Sequence, residues 1–425
     1  MKTRWIIAGA AVLLVAGAMP WGIGYVTEMQ WQQATRELNQ SQPVLQVQTD
    51  AYRRGLLSAE LEGELVVKHP ETGERQRIPY QASVSHGVLG SLMDFEPAGG
   101  WNADWFPDKA PTLTLESRLW GTATLELTAP AMAIPNVEAD ATLRSSGGLV
   151  RVDIGNLGSE IDALMVWPAL RLEGTGFDLN INDVHMEQSM THLSGDLWTG
   201  KGELSAGTVA MSRADAPPVT LSGLTVRSET EVTENDTRLD SSLSLDLDRL
   251  SIGDDAMGPH HLGFTFGNLD VASWSLLTDS LTELRMLALS GQTGAAHIEQ
   301  QMAAMERVNT AIRNLAAAGF SAAMTSLRVM TPEGAVTGNA VIEHPQLTAR
   351  EKAEMLMVMH RLTGHLNLSL PAALAEDYPD LRMQLAPLIK QGLLVQKGDE
   401  LVMQAVMADL VLTVNDQPIP LPPLL

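Results

Sequence analysis

The sequence predicts a β-dominated α+β protein: a long, curved antiparallel meander with a few packed helices, preceded by one N-terminal transmembrane helix. Three observations lead there. Residues Trp5 to Thr27 run for 23 positions without a charge, behind Lys2 and Arg4. From about Thr112 to Phe266 apolar and polar residues alternate with a period of two, as in half-buried strands. After Trp274 the period changes to three and four, as on amphipathic helices.

The uncharged run comes first. At about 1.5 Å per residue it would reach across a hydrocarbon core of roughly 30 Å. Read as a cleaved leader, it would be cut after Ala16-Gly17-Ala18. The apolar run continues past that point through Trp21 and Tyr25, which suits an uncleaved signal anchor with interfacial aromatics. Lys2 and Arg4 lie before the span and only Arg36 follows closely. The positive-inside rule then places the N-terminus in the cytoplasm and the body in a bacterial periplasm, anchored in the inner membrane through residues 5–27. Residues 28–43, without Pro or Gly from Tyr25 to Asn39, would extend the helix as a stalk.

The body divides into a β-rich part, 44–275, and a helical and α/β part, 276–425. Val44 to Val47 and Leu61 to Val67 read as strands on either side of Tyr52-Arg53-Arg54-Gly55, a turn or bulge. Pro70 to Gly73 reads as a turn, and Leu89 to Lys109 as a loop pinned by Trp101, Trp105 and Phe106. Leu125 and Leu127, then Val150, Val152 and Ile154, then Phe177, Leu179 and Ile181 carry the alternation forward. Leu243, Leu245 and Leu247 repeat it, and Leu250 and Ile252 shift the phase by one, which predicts a bulge near Arg249.

Leu281, Leu284 and Leu287 mark one helix. Met305, Val308, Ile312 and Leu315 mark a second that stops at Gly319. Met330 to Ile342 is strand-like around Pro332-Glu333-Gly334. Thr348 and Glu351 form a capping box that opens a helix to about Leu362. His365 to Leu370 is a strand, Leu381 to Gln391 a helix stopped by Gly392, and Leu393 to Val414 a hairpin about Lys397-Gly398-Asp399. The Pro-rich tail from Pro418 to Pro423 reads as extended.

Composition narrows the function. Twenty-eight basic against 51 acidic residues leave a formal charge of −23, which excludes nucleic acid as a partner and disfavours anionic lipid surfaces. With no cysteine there are no disulfides, thiol nucleophiles or thiolate metal sites. Twenty-one methionines, many between Met286 and Met359, could furnish adaptable apolar surfaces.

Candidate chemistry is thin. Gly195 to Gly202 has P-loop spacing up to Lys201, with Gly202 where magnesium needs a hydroxyl and no helix following, so it reads as a β-turn. Gly174-Thr175-Gly176 reads as a turn too. His260-His261 with Asp254 and Asp255 is the best metal candidate, and a chance pair in a solvated loop is the plainer reading. Asp240, Asp246 and Asp248 could form a carboxylate cluster, and on an alternating strand they read as wet-face charges. No catalytic, cofactor or metal residues are therefore assigned.

Two ends of the chain are familiar. Gly24-Tyr25 with Glu28, then Tyr52-Arg53-Arg54-Gly55 with Ser58, and Ala408 to Pro418 closing in Val414-Asn415-Asp416-Gln417-Pro418, resemble the YdgA-like proteins. The resemblance implies a bacterial envelope family of unknown function, with one N-terminal membrane segment and a β-rich exported body. It departs from that pattern at Asp416, where glycine is usual, and it transfers no catalytic residues. Tyr52, Arg54 and Gly55 read as a structural corner, with Gly55 free to adopt unusual angles and Arg54 able to fork onto a carboxylate.

The expectation is a non-enzymatic binding body for a lipid or an envelope protein, serving envelope upkeep. Its ligand would sit in an apolar groove formed by Met305, Val308, Ile312, Met355 and Met359. The alternatives are a structural subunit of a membrane complex, and an envelope-polymer hydrolase using an Asp/Glu pair.

Overall fold

A computed structural model describes residues 2–41, 44–68, 74–106, 108–136, 140–195, 197–233, 237–289, 294–348, 350–351 and 360–420. Side chains of the first helix are described from Met19 to Asn39. All strand pairings given below are antiparallel.

The chain separates into two compact units. The first comprises residues 1–173, 186–191 and 285–293, the second the rest. The first unit opens with helix α1 (Lys2–Ser41). Strands β1 (Leu45–Arg54), β2 (Ser58–Lys68), β3 (Arg75–His86), β4 (Gly90–Pro97), β5 (Thr112–Arg118) and β6 (Ala123–Ala129) follow, each paired with the one before. A hairpin of β7 (Met132–Asn136) and β8 (Ala141–Ser145) comes next. Then β9 (Gly148–Gly155) pairs with β6, and β10 (Glu160–Gly174) with β9. The apolar positions sit in register, so Ala59, Val84, Met93, Leu115, Leu125, Val152 and Ala163 form one row across seven strands. Strand periodicity puts such a row on a single face.

Helix α1 decides how that face is covered. It packs on β1, β3 and β4, and Ala59, Val84 and Met93 are buried beneath Trp31 and Tyr52. From Leu115 onward the row is only half-buried. The helix is tied to the edge strand as well: the Asn39 amide donates to Val47 O (2.8 Å) and accepts from Val47 N (2.7 Å). It thus satisfies backbone groups that an open edge would leave available.

This packing overturns the expectation of a membrane anchor. Among the described residues no helix is long and apolar enough to cross a membrane. The far end of the uncharged run is a protein-contact surface, with Ile23 and Thr27 buried and Thr27 hydrogen-bonded to Ser91. Apolar residues there meet a sheet, not lipid. The inner-membrane placement through residues 5–27, with a cytoplasmic N-terminus and a periplasmic body, therefore does not hold.

Strand β11 (Phe177–Ser194) is divided between the units. The second unit continues with β12 (Leu197–Arg213), β13 (Ala216–Thr233), β14 (Arg238–Ile252), the short β15 (Asp255–Met257) and β16 (His260–Asp270). Helices α2 (Val271–Leu289) and α3 (Ala295–Ala318) intervene before β17 (Phe320–Thr331), β18 (Gly334–His344) and β19 (Thr363–Pro371). Helices α4 (Ala373–Asp377) and α5 (Pro379–Lys390) precede β20 (Val395–Lys397), β21 (Glu400–Ala408), β22 (Val411–Val414) and β23 (Gln417–Pro420). The ladder runs β12–β13–β14–β16–β17–β18–β19–β21–β22–β23.

The phase shift at Leu247 to Leu250 is present, but no bulge makes it. Register between β13 and β14 is unbroken, with Ser222 opposite Arg249 and Leu224 opposite Leu247, and Gly223 and Asp248 standing between those pairs. Gly207 stands likewise between the paired residues of β12. Gly223 has φ of 66° and Asp183 on β11 has φ of 55°, both in the left-handed region. On all four strands the apolar phase changes at this line, as from Ile181 to Val184 and from Leu224 to Leu221. One crease across four strands replaces an extra residue on one of them.

Of the predicted helices, α3 stops at Gly319, whose φ is 88°. The capping box is formed: Thr348 N donates to Glu351 Oε2 (2.8 Å) and Glu351 N to Thr348 Oγ1 (3.4 Å). The Pro70–Gly73 turn, most of the helix predicted beyond Glu351 and the last residues of the Pro-rich tail lie outside the described residues.

Candidate functional site

Two surfaces of the second unit and one corner of the first carry the chemistry. The principal candidate is the apolar face of the second ladder. Leu204, Val226, Leu245, Leu262, Leu327, Gly338, Leu368 and Met403 are consecutive register partners across eight strands. A second row, Leu243, Phe264, Met324, Ala340, Leu366 and Ala405, lies beside it. In the first row every side chain is half-buried or exposed, and none is fully covered.

Among the described residues, helices close only the ends of this face. Leu315 of α3 packs on Leu239 and Leu269. Leu374 of α4 and Leu381, Leu385 and Leu388 of α5 pack around Leu370 and Leu401. Between those two cores the face is open. An apolar sheet surface normally acquires a second layer, and among the described residues this one carries helices at its two ends.

The groove residues expected from the sequence are placed differently. Val308 is buried at 6 % exposure, on the inward face of α3 with Ala304, Ala311 and Leu315. Met305 and Ile312 are 51 % and 37 % exposed. With Ile298 and Met302 they make an outward stripe, spaced by four, three and seven residues. Met355 and Met359 lie outside the described residues. Sequence spacing found both apolar strips of α3 and merged them, because they differ by a single position.

The polar side chains of the other face border a groove of about 460 Å³, half of whose lining residues are Ser, Thr, Asn and Gln, with His261, Arg328 and Glu400 beside Leu327, Leu368 and Val402. His261 and its neighbour part company. His260 is buried and turned to backbone, near Met257 O and accepting from Met330 N. His261 Nδ1 lies 2.6 Å from Asp246 Oδ1, directly across the β14–β16 ladder. No group of three or more metal-ligating side chains occurs among the described residues. The three aspartates of β14 do not converge either. Asp240 accepts from Asn268 N, Asp246 meets His261 and Arg227, and Asp248 lies at the crease.

The corner at Tyr52, Arg54 and Gly55 is where α1 docks. Arg54 pairs with Glu28 of α1 at 3.1 Å and lies over the rings of Trp21 and Tyr25 at 5.9 and 5.4 Å. Gly55 donates to Ser58 O, and a Cβ there would stand 3.0 Å from that oxygen, so close approach and not an unusual angle requires glycine. The Tyr52 hydroxyl is buried without a partner, and burial with the nearby Glu28 carboxylate pushes its pKa up to about 12. Gly24 lets the helix settle: a Cβ on it would lie 2.9 Å from His86 Nε2 and 3.2 Å from Arg54 Cδ. His86 Nδ1 bonds Ser91 Oγ, which bonds Thr27 Oγ1, each at 2.8 Å.

Burial, and then the Arg54 charge, holds the His86 pKa below its ordinary 6.5. A histidine neutral in the docked state recovers its usual proton affinity when the helix lifts. Docking is therefore fully supported above pH 6.5 and weakens as pH falls from there toward the lowered pKa. The charged group acting on the ring is Arg54 of the sheet, which is itself paired with Glu28 of α1. Hydrogen exchange over residues 21–36, corrected for intrinsic rates, is expected to be faster at pH 5.5 than at 7.5. His86→Gln should remove the difference, and persistence in that variant would refute the assignment.

These features define a class: an antiparallel β scaffold with a docked N-terminal helix and a long apolar face left half-open. The chain belongs to the family described as bacterial protein of unknown function (DUF945), which matches residues 1–422. No curated protein and no solved structure matched the chain.

Proposed function

We propose that the second unit binds the acyl portion of a lipid along its open apolar face. The observation that carries this reading is the row from Leu204 to Met403, continuous across eight strands and, among the described residues, closed only at its ends. Burying apolar chain there yields about 0.8 kcal/mol per methylene before the costs of association. An acyl chain has the length to use consecutive strands of such a row. The likeness of both termini to the YdgA-like envelope proteins supports a YdgA-like assignment within the family, and with it a role in envelope upkeep. No reacting group stands on this face, so the reading is binding, without catalysis.

The test is native mass spectrometry with lipid extraction on the full chain, purified without harsh detergent. A stoichiometric lipid is expected, lost in Leu327→Asp while circular dichroism keeps its strand signal. A lipid-free mass for the unaltered chain, or retention in Leu327→Asp, would refute the proposal. Met305→Asp, on the outward stripe of α3, separates the two apolar surfaces: retention there confines the ligand to the sheet.

A further inference from the structure

The groove on the opposite face of the same ladder is built differently, and its construction points to a ligand. Between β16, β17 and β18 the register slips: Gly263 pairs with Ser326 and Phe264 with Met324, while Met324 pairs with Ala340 and Leu327 with Gly338. Thr325 and Ser326 thus share a bulge, and bulges re-aim side chains. Both hydroxyls gather over Gly263. A Cβ at that glycine would lie 2.7 Å from Thr325 Oγ1, 3.1 Å from Ser326 Oγ and 3.5 Å from His261 Nε2.

His261 completes the cradle. Its Nδ1 is held 2.6 Å from Asp246 Oδ1, which leaves Nε2 facing the space that the absent Cβ vacates. Further along the groove two pairs are set in place. Asn367 Nδ2 donates to Asn339 Oδ1 at 3.0 Å, and Ser369 Oγ to Glu400 Oε2 at 2.5 Å. The first pair still leaves an amide N–H of Asn339 and a carbonyl lone pair of Asn367 for another partner. In a chain of charge −23, this lining balances Arg328 against Glu400, and seven hydroxyl and amide side chains share it with His261, Leu327, Leu368 and Val402.

We propose that this groove binds an oligosaccharide, whose hydroxyls donate to His261 Nε2 and Asn367 and accept from Asn339, Thr325 and Ser326. A ligand of dense charge would find no matching net charge here, and an apolar one would leave these polar groups buried without partners, which is unfavourable. Sugar hydroxyls donate and accept at once, which fits a lining of mixed donors and acceptors. Leu327, Gly338 and Leu368 of the acyl row also border this groove, while its polar side chains stand on the other face of the ladder.

The experiment uses the full chain on an array of tetra- to hexasaccharides of glucose, mannose, galactose and N-acetylglucosamine, followed by calorimetry with any oligosaccharide retained. Binding is expected, and His261→Ala and Asn367→Ala, both on the wet face, should each weaken it about tenfold, the loss of roughly one to two hydrogen bonds. Leu204→Asp, on the acyl row and outside the groove lining, should leave sugar affinity unchanged, which separates this result from failure of the acyl reading. Absence of binding to every oligosaccharide, or affinity unaltered in both groove variants, would overturn the proposal.

Discussion

Truncating Met93 to alanine is expected to lower the stability of the full chain by about 2–5 kcal/mol, the range for emptying a large core position. Met93 is 1 % exposed and touches Ala59 and Val84, with Trp31 of α1 above it and Tyr52, Phe95 and Leu115 around it. A helix on one side and a twisted sheet on the other cannot both collapse into the space left behind. Urea titration followed by circular dichroism reads the change directly. The neighbouring Leu92 is 46 % exposed and points to the other face, so Leu92→Ala should fall within about 0.5 kcal/mol of the parent. A Met93→Ala midpoint equal to that of Leu92→Ala would mean that α1 does not seal this core.

The second large effect is expected at Arg54. Arg54→Ala removes a half-buried pair with Glu28 and two ring contacts at once, with Trp21 and Tyr25. Exposed ion pairs contribute little and fully buried ones cost 3–5 kcal/mol to break, so a pair between those limits with two cation–π contacts is worth about 2 kcal/mol. The loss should be local: hydrogen exchange over residues 21–36 should accelerate about 30-fold while the second unit keeps its protection. Arg54→Lys keeps the charge and loses the planar fork, so it should recover only part of the protection. Full recovery in the lysine variant would show that charge alone holds the helix. Unchanged exchange in Arg54→Ala would remove the corner from the docking account.

Both predictions concern a segment that the sequence describes incompletely. Trp5 to Thr27 is uncharged over 23 positions, and the absence of charge cannot distinguish lipid from an apolar sheet as the neighbour. Ile23, Thr27 and Trp31 recur every fourth residue and form the strip that meets β1, β3 and β4. That strip becomes visible only once the strands supply Ser91, Thr49 and Val84 as partners. The same limit applies to His261 and Asp246, which stand 15 residues apart and are joined only by the β14–β16 register. Alternation along β14 could put Asp246 on the wet face but could not say which strand lay beside it.

What the sequence by itself determined is local. Period-two alternation fixed the strands, the Thr348–Glu351 box and Gly319 fixed helix ends, and the apolar phase change at Leu247 to Leu250 fixed where four strands crease. Each follows from backbone geometry within a few residues. The tertiary structure alone decided which apolar surfaces are covered. Burial depends on partners distant in the chain, so Val308 goes inward and Met305 outward on one helix. By the same rule the row from Leu204 to Met403, indistinguishable in sequence from any core strand, is left half-open between two helical caps.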